Sequence, residues 1–134
     1  MKEMIYTSER TRELLHNDIY KGYHYYIMSY GTHPCCYIEL HKDSILYGVN
    51  YDDIDMDVHG GLTYSKDYLK TGDNTTVSGN WFIGWDYGHC TDYIGLDEIQ
   101  PEFLRDSCKR WTTKELIAEC ENAIELVIRR ADNE

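Results

Sequence analysis

Positively charged residues are scarce in this sequence. It contains 13 lysine and arginine residues against 24 aspartate and glutamate residues, a formal net charge of −11 at pH 7. Because so acidic a surface repels phosphate backbones, the composition argues against direct nucleic acid binding and favours basic protein partners or simple solubility. Hydrophobic residues at 42% and aromatic residues at 13% are enough for a core, so the charge does not indicate disorder.

Long apolar segments are also missing. No segment approaches the roughly 18 consecutive apolar residues of a membrane-spanning helix, and the first residues lack the apolar region of a signal peptide. The cysteines number five, which is odd and does not suggest a disulfide framework. We therefore expect a cytoplasmic protein with free thiols and no membrane contact, folded as a single globular domain over residues 1–134.

A short helix is predicted near the beginning of the chain. Ser8 can cap its free N–H groups, and apolar residues at positions 14, 15 and 19 share a helical face, so the helix extends to about Tyr20. Gly22 ends it. Two segments rich in β-formers follow, residues 23–30 and 35–41, and the turn between them predicts a β-hairpin.

Two more helices are predicted towards the end of the chain. Pro101 fits the first turn of a helix that extends to about Arg110. Thr112 and Glu115 form a capping-box pattern that begins another. Its apolar stripe suits packing on a sheet, with a homo-oligomer through this helix as the alternative. The stripe consists of Leu116, Ile117, Cys120, Ile124, Val127 and Ile128.

The middle of the chain predicts strands around a loop. Residues 54–59 alternate apolar and polar side chains, which predicts a strand with Asp55, Asp57 and His59 on its outer face. The polar residues 65–80 predict a mobile lid or binding loop, and the apolar residues 81–87 a central strand. The fold class predicted is α+β, with an antiparallel sheet of about four to six strands, a short N-terminal helix and two C-terminal helices.

Function is predicted to lie in residues 58–93, where histidines stand beside glycines and aromatic rings. Paired glycines after His59 allow positive φ and a close approach to a neighbour or a ligand. Further polar residues gather directly behind the apolar run, where a buried strand would end. The predicted ligand-binding residues are His59, Gly60, Gly61, Thr63, Tyr64, Trp85, Asp86, His89 and Asp92.

Three kinds of chemistry fit this segment. Two imidazoles and two carboxylates suit Zn²⁺ or Mn²⁺, but their spacing is unspecific and places position 89 opposite positions 86 and 92 on an extended chain. Nucleophilic catalysis by Cys90 beside His89 is disfavoured because neighbours on a strand point in opposite directions. No catalytic residue, metal or cofactor is therefore predicted. The metal ligands considered were His59, Asp86, His89 and Asp92.

The third kind of chemistry is nucleotide binding. The 13 tyrosines and 3 tryptophans supply flat faces for base stacking. Backbone N–H groups freed at Gly60 and Gly61 could receive phosphate oxygens. Nearby cations that could hold a small anion are Arg105, Lys109 and Arg110.

Several short motifs occur together between residues 35 and 93. They are Cys36-Tyr37-Ile38, Leu46-Tyr47-Gly48, Tyr51-Asp52-Asp53-Ile54, Val58-His59-Gly60-Gly61-Leu62-Thr63-Tyr64-Ser65 and Trp81-Phe82-Ile83-Gly84-Trp85-Asp86 with His89 and Asp92. In this combination the chain resembles a family of small uncharacterised proteins encoded by bacteriophages and prophages. The resemblance brings no activity with it. It implies a phage accessory protein in the cytoplasm of an infected bacterial cell.

Phage accessory proteins of this size often sequester nucleotide immune signals or block immune effectors. The function predicted is therefore an anti-defence protein that binds a cyclic oligonucleotide or a cyclic ADP-ribose type of signal, so its partner is a small nucleotide ligand or a host immune effector protein. One alternative is a metal-dependent phosphodiesterase. Another is an anti-CRISPR-like inhibitor whose acidic face imitates nucleic acid and blocks an effector nuclease. That face would contain Asp52, Asp53, Asp55, Asp57 and Asp67.

Overall fold

The computed structural model describes residues 1–95 and 107–132. Five strands form one antiparallel sheet in the order β1-β2-β3-β5-β4. The described part is mostly β, with a 3-10 turn at Tyr51–Asp53 and a single long helix. The elements are β1 (Glu13–Tyr20), β2 (Tyr23–Ser29), β3 (Pro34–Leu40), β4 (Tyr64–Gly72), β5 (Thr75–Asp86) and α1 (Thr113–Asp132).

The predicted N-terminal helix is wrong, and so is the fold class that placed helices at both ends of the chain. Residues 13–20 form β1, an edge strand paired with β2. Lys21 and Gly22 both have positive φ, at 48° and 86°, which suits a two-residue hairpin turn. Leu15 packs under α1 and Leu14 packs on the opposite face of the sheet. The apolar spacing fitted a helix, but pairing with β2 outweighs that weak preference.

The second predicted helix lies mostly outside the described residues. Of its range the structure describes residues 107–110, which form a turn and a bridge between Lys109 and Asp92 rather than a helix. The last predicted helix is α1. Its capping box is present, since Thr112 N–H donates to Oε1 of Glu115 (3.0 Å) and Glu115 N–H donates to Oγ1 of Thr112 (3.2 Å).

The two faces of the sheet bury separate apolar clusters. The stripe of α1 packs on one face, where Leu116, Ile124 and Val127 are at most 1% exposed. The other face is enclosed by the sheet itself, because the edge strands β1 and β4 contact each other. Register shifts in both edge strands supply the bending. The enclosed side chains include Met28, Leu69 and Phe82.

The central segments differ from the prediction in two places. Residues 65–80 belong to the β4–β5 hairpin rather than to a mobile loop, and Leu69 is only 1% exposed. Residues 54–58 form no strand, although Ile54 and Met56 are buried while Asp55 and Asp57 are exposed. The β2–β3 hairpin and the strand at residues 81–87 are present, and the latter lies within the interior strand β5 except for its last residue.

No helix in the described part of the chain is long and apolar enough to cross a membrane.

Candidate functional site

Asp92 is the centre of a polar cluster that joins the two predicted motifs. The residue is 1% exposed. Its carboxylate accepts hydrogen bonds from Nε2 of His59 (2.8 Å), Nε1 of Trp111 (3.0 Å) and the backbone N–H of His89 (3.0 Å). Donors of this kind replace the water that burial removes from a charged carboxylate. We call these four residues the Asp92 cluster.

Aromatic rings fix the imidazole of His59. It stacks on Tyr87 with ring centroids 4.6 Å apart and meets the edge of Trp111 at 5.3 Å. With Nε2 donating to the carboxylate, the neutral form of the ring carries its lone pair on Nδ1. Nδ1 has no hydrogen-bond partner among the described residues and is not buried, and 23% of the side chain is exposed. The result is an oriented imidazole with a free basic nitrogen.

Gly60 accommodates the imidazole of His89. A Cβ at Gly60 would lie 2.1 Å from Nε2 of His89, and Gly60 and Gly61 have φ values of 71° and 81°. The predicted positive φ is therefore confirmed for both glycines, and the close approach to a neighbour is confirmed for Gly60 but not for Gly61, which has nothing within 4 Å of its Cβ position. Nε2 of His89 is buried and lies 3.5 Å from Oδ1 of Asp86, without forming a hydrogen bond in the described part.

Asp86 connects β5 to this region. Its Oδ1 accepts from the N–H of Gly88 at 3.0 Å and its Oδ2 from Oγ1 of Thr63 at 3.2 Å. Most of the predicted binding residues are thus brought together at one end of β5. Tyr64 is the exception, since it lies on the other face of the sheet, edge-on to Tyr37 at 5.1 Å. Trp85 is 1% exposed beneath α1, where it lines a cavity of about 120 Å³ together with His59.

Metal and thiol chemistry gain no support from the described residues. No three His, Cys, Asp or Glu side chains among them are placed to hold a metal ion. Burial raises the pKa of Cys35 and Cys36 well above the ordinary value, so both remain protonated thiols, whereas Cys90, the thiol considered as a nucleophile, is exposed.

A basic cavity of about 630 Å³ adjoins the predicted site at Gly88. Arg10, Arg12, Tyr30 and His33 line it, together with one acidic residue, Asp73, from the β4–β5 turn. We call it the Arg12 cavity. The sequence had carried a signal for it, since the Arg10-Thr11-Arg12 triplet places two cations close together in an acidic chain, but these residues were assigned to the N-terminal helix.

The guanidinium of Arg12 is incompletely satisfied. Its Nε is buried without a hydrogen-bond partner among the described residues, while the rest of the group interacts with the Tyr30 side chain, whose ring centroid lies 5.8 Å from Cζ. Within the described part neither Arg12 nor Arg10 forms an ion pair. An unpaired guanidinium beside a cavity is a natural partner for an anion.

The cations that the sequence had suggested for an anion are differently placed. Lys109 pairs with Glu115 at 2.7 Å and lies over the ring of Trp111. Arg110 lies 4.1 Å from the ring centroid of Tyr93. Arg105 lies outside the described residues.

A second, smaller cavity shares a wall with the first. Its volume is about 170 Å³, and Arg12 and Tyr30 line both cavities. The rest of its lining includes Tyr64, Tyr68 and Lys70. We call it the Tyr68 cavity. It brings the predicted residue Tyr64 next to a cation, on the face of the sheet away from the Asp92 cluster.

No protein-family model, curated protein or solved structure matches this chain. The resemblance to phage accessory proteins therefore stays a prediction. The features that bear on function are the Asp92 cluster and the Arg12 cavity with its smaller neighbour.

Proposed function

We propose that this protein is a phage-encoded anti-defence protein that binds and sequesters a nucleotide-derived immune signal in the cytoplasm of the infected cell. The signal is of the cyclic oligonucleotide or cyclic ADP-ribose type. The observation that supports this function is the Arg12 cavity. Its volume of about 630 Å³ lies within the roughly 300–1,000 Å³ of small-molecule sites. The phage origin that the proposal includes rests on the sequence resemblance alone.

The lining of the Arg12 cavity suits a nucleotide. Guanidinium groups bind phosphate through charge-assisted hydrogen bonds, and the tyrosine ring offers a face to a base. The formal charge of the protein is −11, so unpaired cations here form a local exception to an acidic surface. Asp73 also lines the cavity. Its carboxylate repels phosphate nearby and can accept hydrogen bonds from hydroxyl or amino groups of a ligand.

The buried Nε of Arg12 gives a physical reason for affinity. A buried donor without an acceptor destabilises a protein by about 1–3 kcal/mol. A phosphate oxygen in the cavity would supply the missing acceptor. Binding would then recover a free energy that the unliganded fold lacks.

The proposed site lies beside the predicted pocket rather than at its centre. The two meet at Gly88, where a Cβ would lie 3.3 Å from Cδ2 of His33. Gly88 also donates its N–H to Asp86. The second motif therefore shapes one wall of the Arg12 cavity, while His59 lies further from it within the Asp92 cluster.

Calorimetry against cyclic dinucleotides, cyclic trinucleotides and cyclic ADP-ribose isomers tests the proposal. We expect at least one ligand to bind with Kd below about 10 μM, roughly −7 kcal/mol. Arg12→Gln should weaken that binding at least about tenfold, because a phosphate hydrogen bond is charge-assisted. Arg129→Gln removes the same charge from the exposed surface of α1 and is the matched control. Absence of binding across the whole set would reject the function.

A second candidate function is metal-free phosphodiester hydrolysis at the Asp92 cluster. The observation in its favour is the hydrogen bond between His59 and the buried Asp92, which orients an imidazole as in a general base. Nδ1 would take a proton from an attacking water, and the leaving alcohol would regain it as the P–O bond breaks. A cavity of about 120 Å³ beside His59 has room for water.

Chromatography separates this candidate from sequestration. The protein is incubated with its tightest cyclic ligand and the recovered nucleotide is analysed. An enzyme would yield a linear product, and His59→Asn would abolish its formation whereas His41→Asn, at an exposed histidine, would not. Recovery of intact cyclic ligand would exclude hydrolysis and leave the binding function in place.

A further inference from the structure

We propose that the ligand is a dinucleotide held across Arg12, with one base in the Arg12 cavity and the other in the Tyr68 cavity. This inference rests on the proposed function and specifies its ligand class. The observation that carries it is the shared wall, because Arg12 and Tyr30 line both cavities.

The unequal volumes of the two cavities indicate which part of such a ligand each cavity holds. About 630 Å³ accommodates a whole nucleotide, whereas about 170 Å³ has room for little more than one planar ring system. A mononucleotide would fill the larger cavity and leave the smaller one without an occupant. A ligand with two bases joined through phosphate fills both and places its charge between them.

Tyrosine rings form the side of the Tyr68 cavity away from Arg12. Tyr64 is held in place by its edge contact with Tyr37 and by a hydrogen bond from its hydroxyl to the backbone carbonyl of Tyr68. The side chain of Tyr68 is less constrained, since the residue is 37% exposed. A partly exposed tyrosine beside a fixed one can cover the free face of a base.

The charges around the two cavities place the phosphate at their junction. Arg12 stands on the shared wall, Arg10 lines the larger cavity and Lys70 lines the smaller one. Asp73 lies in the larger cavity and repels phosphate there. Each base is then left with an aromatic wall and the phosphodiester with the unpaired guanidinium of Arg12.

Calorimetry with four probes tests this inference: cyclic di-AMP, cyclic di-GMP, AMP and GMP. We expect one cyclic dinucleotide to bind at least about tenfold more tightly than the corresponding mononucleotide, since a second stacked base contributes by this order. Tyr68→Ala should remove most of that advantage and leave mononucleotide affinity unchanged within about twofold. Arg12→Gln should weaken all four probes, because every one of them carries phosphate.

Matched variants make the result specific. Tyr23→Ala removes a partly exposed tyrosine on the α1 side of the sheet, where it lines a different cavity with Ala131, and should change no affinity. Tyr68→Leu keeps apolar volume but not the ring, so it should behave as Tyr68→Ala does. Thermal melting monitored by circular dichroism confirms that each variant is folded.

The failures of the two proposals are distinguishable. If mononucleotides bind as tightly as dinucleotides, or if Tyr68→Ala weakens both equally or neither, the dinucleotide inference is overturned and the binding function stands. The same holds if only a cyclic trinucleotide or a cyclic ADP-ribose isomer binds. If no nucleotide binds at all, the proposed function itself is rejected.

Discussion

The Asp92 cluster and the Arg12 cavity differ in whether a buried polar group, the Asp92 carboxylate or the Arg12 Nε, has hydrogen-bond partners. The carboxylate of Asp92 receives N–H donors from His59, Trp111 and the backbone of His89. The guanidinium of Arg12 has a buried Nε with no acceptor in the described part and a cavity beside it. A group satisfied by its own protein contributes to the fold, whereas one left unsatisfied beside a cavity is available to a ligand. We therefore expect substitutions in the first to change stability and substitutions in the second to change binding.

Asp92→Ala should have the largest effect on stability. It leaves the partly buried donors of His59 and Trp111 without their acceptor, and such losses amount to about 1–3 kcal/mol for each group. We expect the free energy of unfolding to fall by about 3 kcal/mol or more in urea titration. Asp57→Ala, at an exposed aspartate close in sequence to His59, is the control. A loss below about 1 kcal/mol for Asp92→Ala would remove the contrast with Arg12.

Gly60→Ala should have the next largest effect on stability, because a steric clash adds to an unfavourable backbone conformation. The new Cβ would lie 2.1 Å from Nε2 of His89, and φ is 71°. Gly61 has a similar φ of 81° with nothing near its Cβ position, so Gly61→Ala measures the conformational penalty alone. We expect about 1 kcal/mol for Gly61→Ala and about 2–3 kcal/mol for Gly60→Ala in the same titration. Equal losses would mean that His89 moves freely and is not held by the cluster.

Glu115→Gln should have a smaller and pH-dependent effect. The Lys109 ammonium and then the backbone N–H of Thr112 lower the pKa of Glu115 from 4.5. A lowered pKa in the folded state means that the ionised form stabilises the fold above pH 4.5, and that this contribution is lost as the pH falls through the lowered value. We expect the variant to be less stable by about 0.5–1 kcal/mol at pH 7. The difference from the parent should shrink as the pH falls below 4.5, and a difference that stays constant down to strongly acidic pH would contradict the assignment.

Arg12→Gln should cause the smallest loss of stability. Its guanidinium makes no ion pair in the described part of the chain and its buried Nε has no acceptor there, so we expect no loss, and a gain of up to about 1–3 kcal/mol, by urea titration. Combined with the loss of nucleotide binding, this would complete the contrast with Asp92→Ala. A destabilisation above about 2 kcal/mol would show that Arg12 serves the fold instead.

Local signals in the sequence were the reliable ones. The capping box at Thr112 requires only a few neighbouring residues, and the positive φ of Gly60 follows from the absence of a side chain. Both features are present. The hairpin of β2 and β3 is likewise specified by β-formers on either side of a short turn.

The two segments whose secondary structure was predicted wrongly, residues 13–20 and 65–80, are determined by pairing with a neighbouring strand. Residues 13–20 carry a weak helical spacing, yet β2 offers a full set of partners and the segment becomes a strand. The polar segment 65–80 lacks apolar alternation because much of the β4–β5 hairpin is exposed to solvent. Neither outcome can be read from a window that excludes the partner strand.

The geometry of the candidate site likewise depends on contacts between residues distant in sequence. The region around His59 and Asp92 was identified from local pattern, but their hydrogen bond joins residues separated by 33 positions. Trp111 was missed because an isolated tryptophan in an otherwise polar stretch carries no periodic signal. The acidic face at positions 52, 53, 55, 57 and 67 is exposed, and its role as a nucleic acid mimic stays a prediction.

The contact between β1 and β4 also bears on how the protein behaves at high concentration. An open sheet presents two rows of unpaired backbone groups to which another chain can add a strand. Here the two edge strands approach each other, so part of each edge is shielded. Elsewhere on β4 the exposed residues Lys66, Asp67 and Lys70 place charge on the edge, which discourages strand addition. The curl that encloses the second apolar cluster thus also protects the sheet against aggregation.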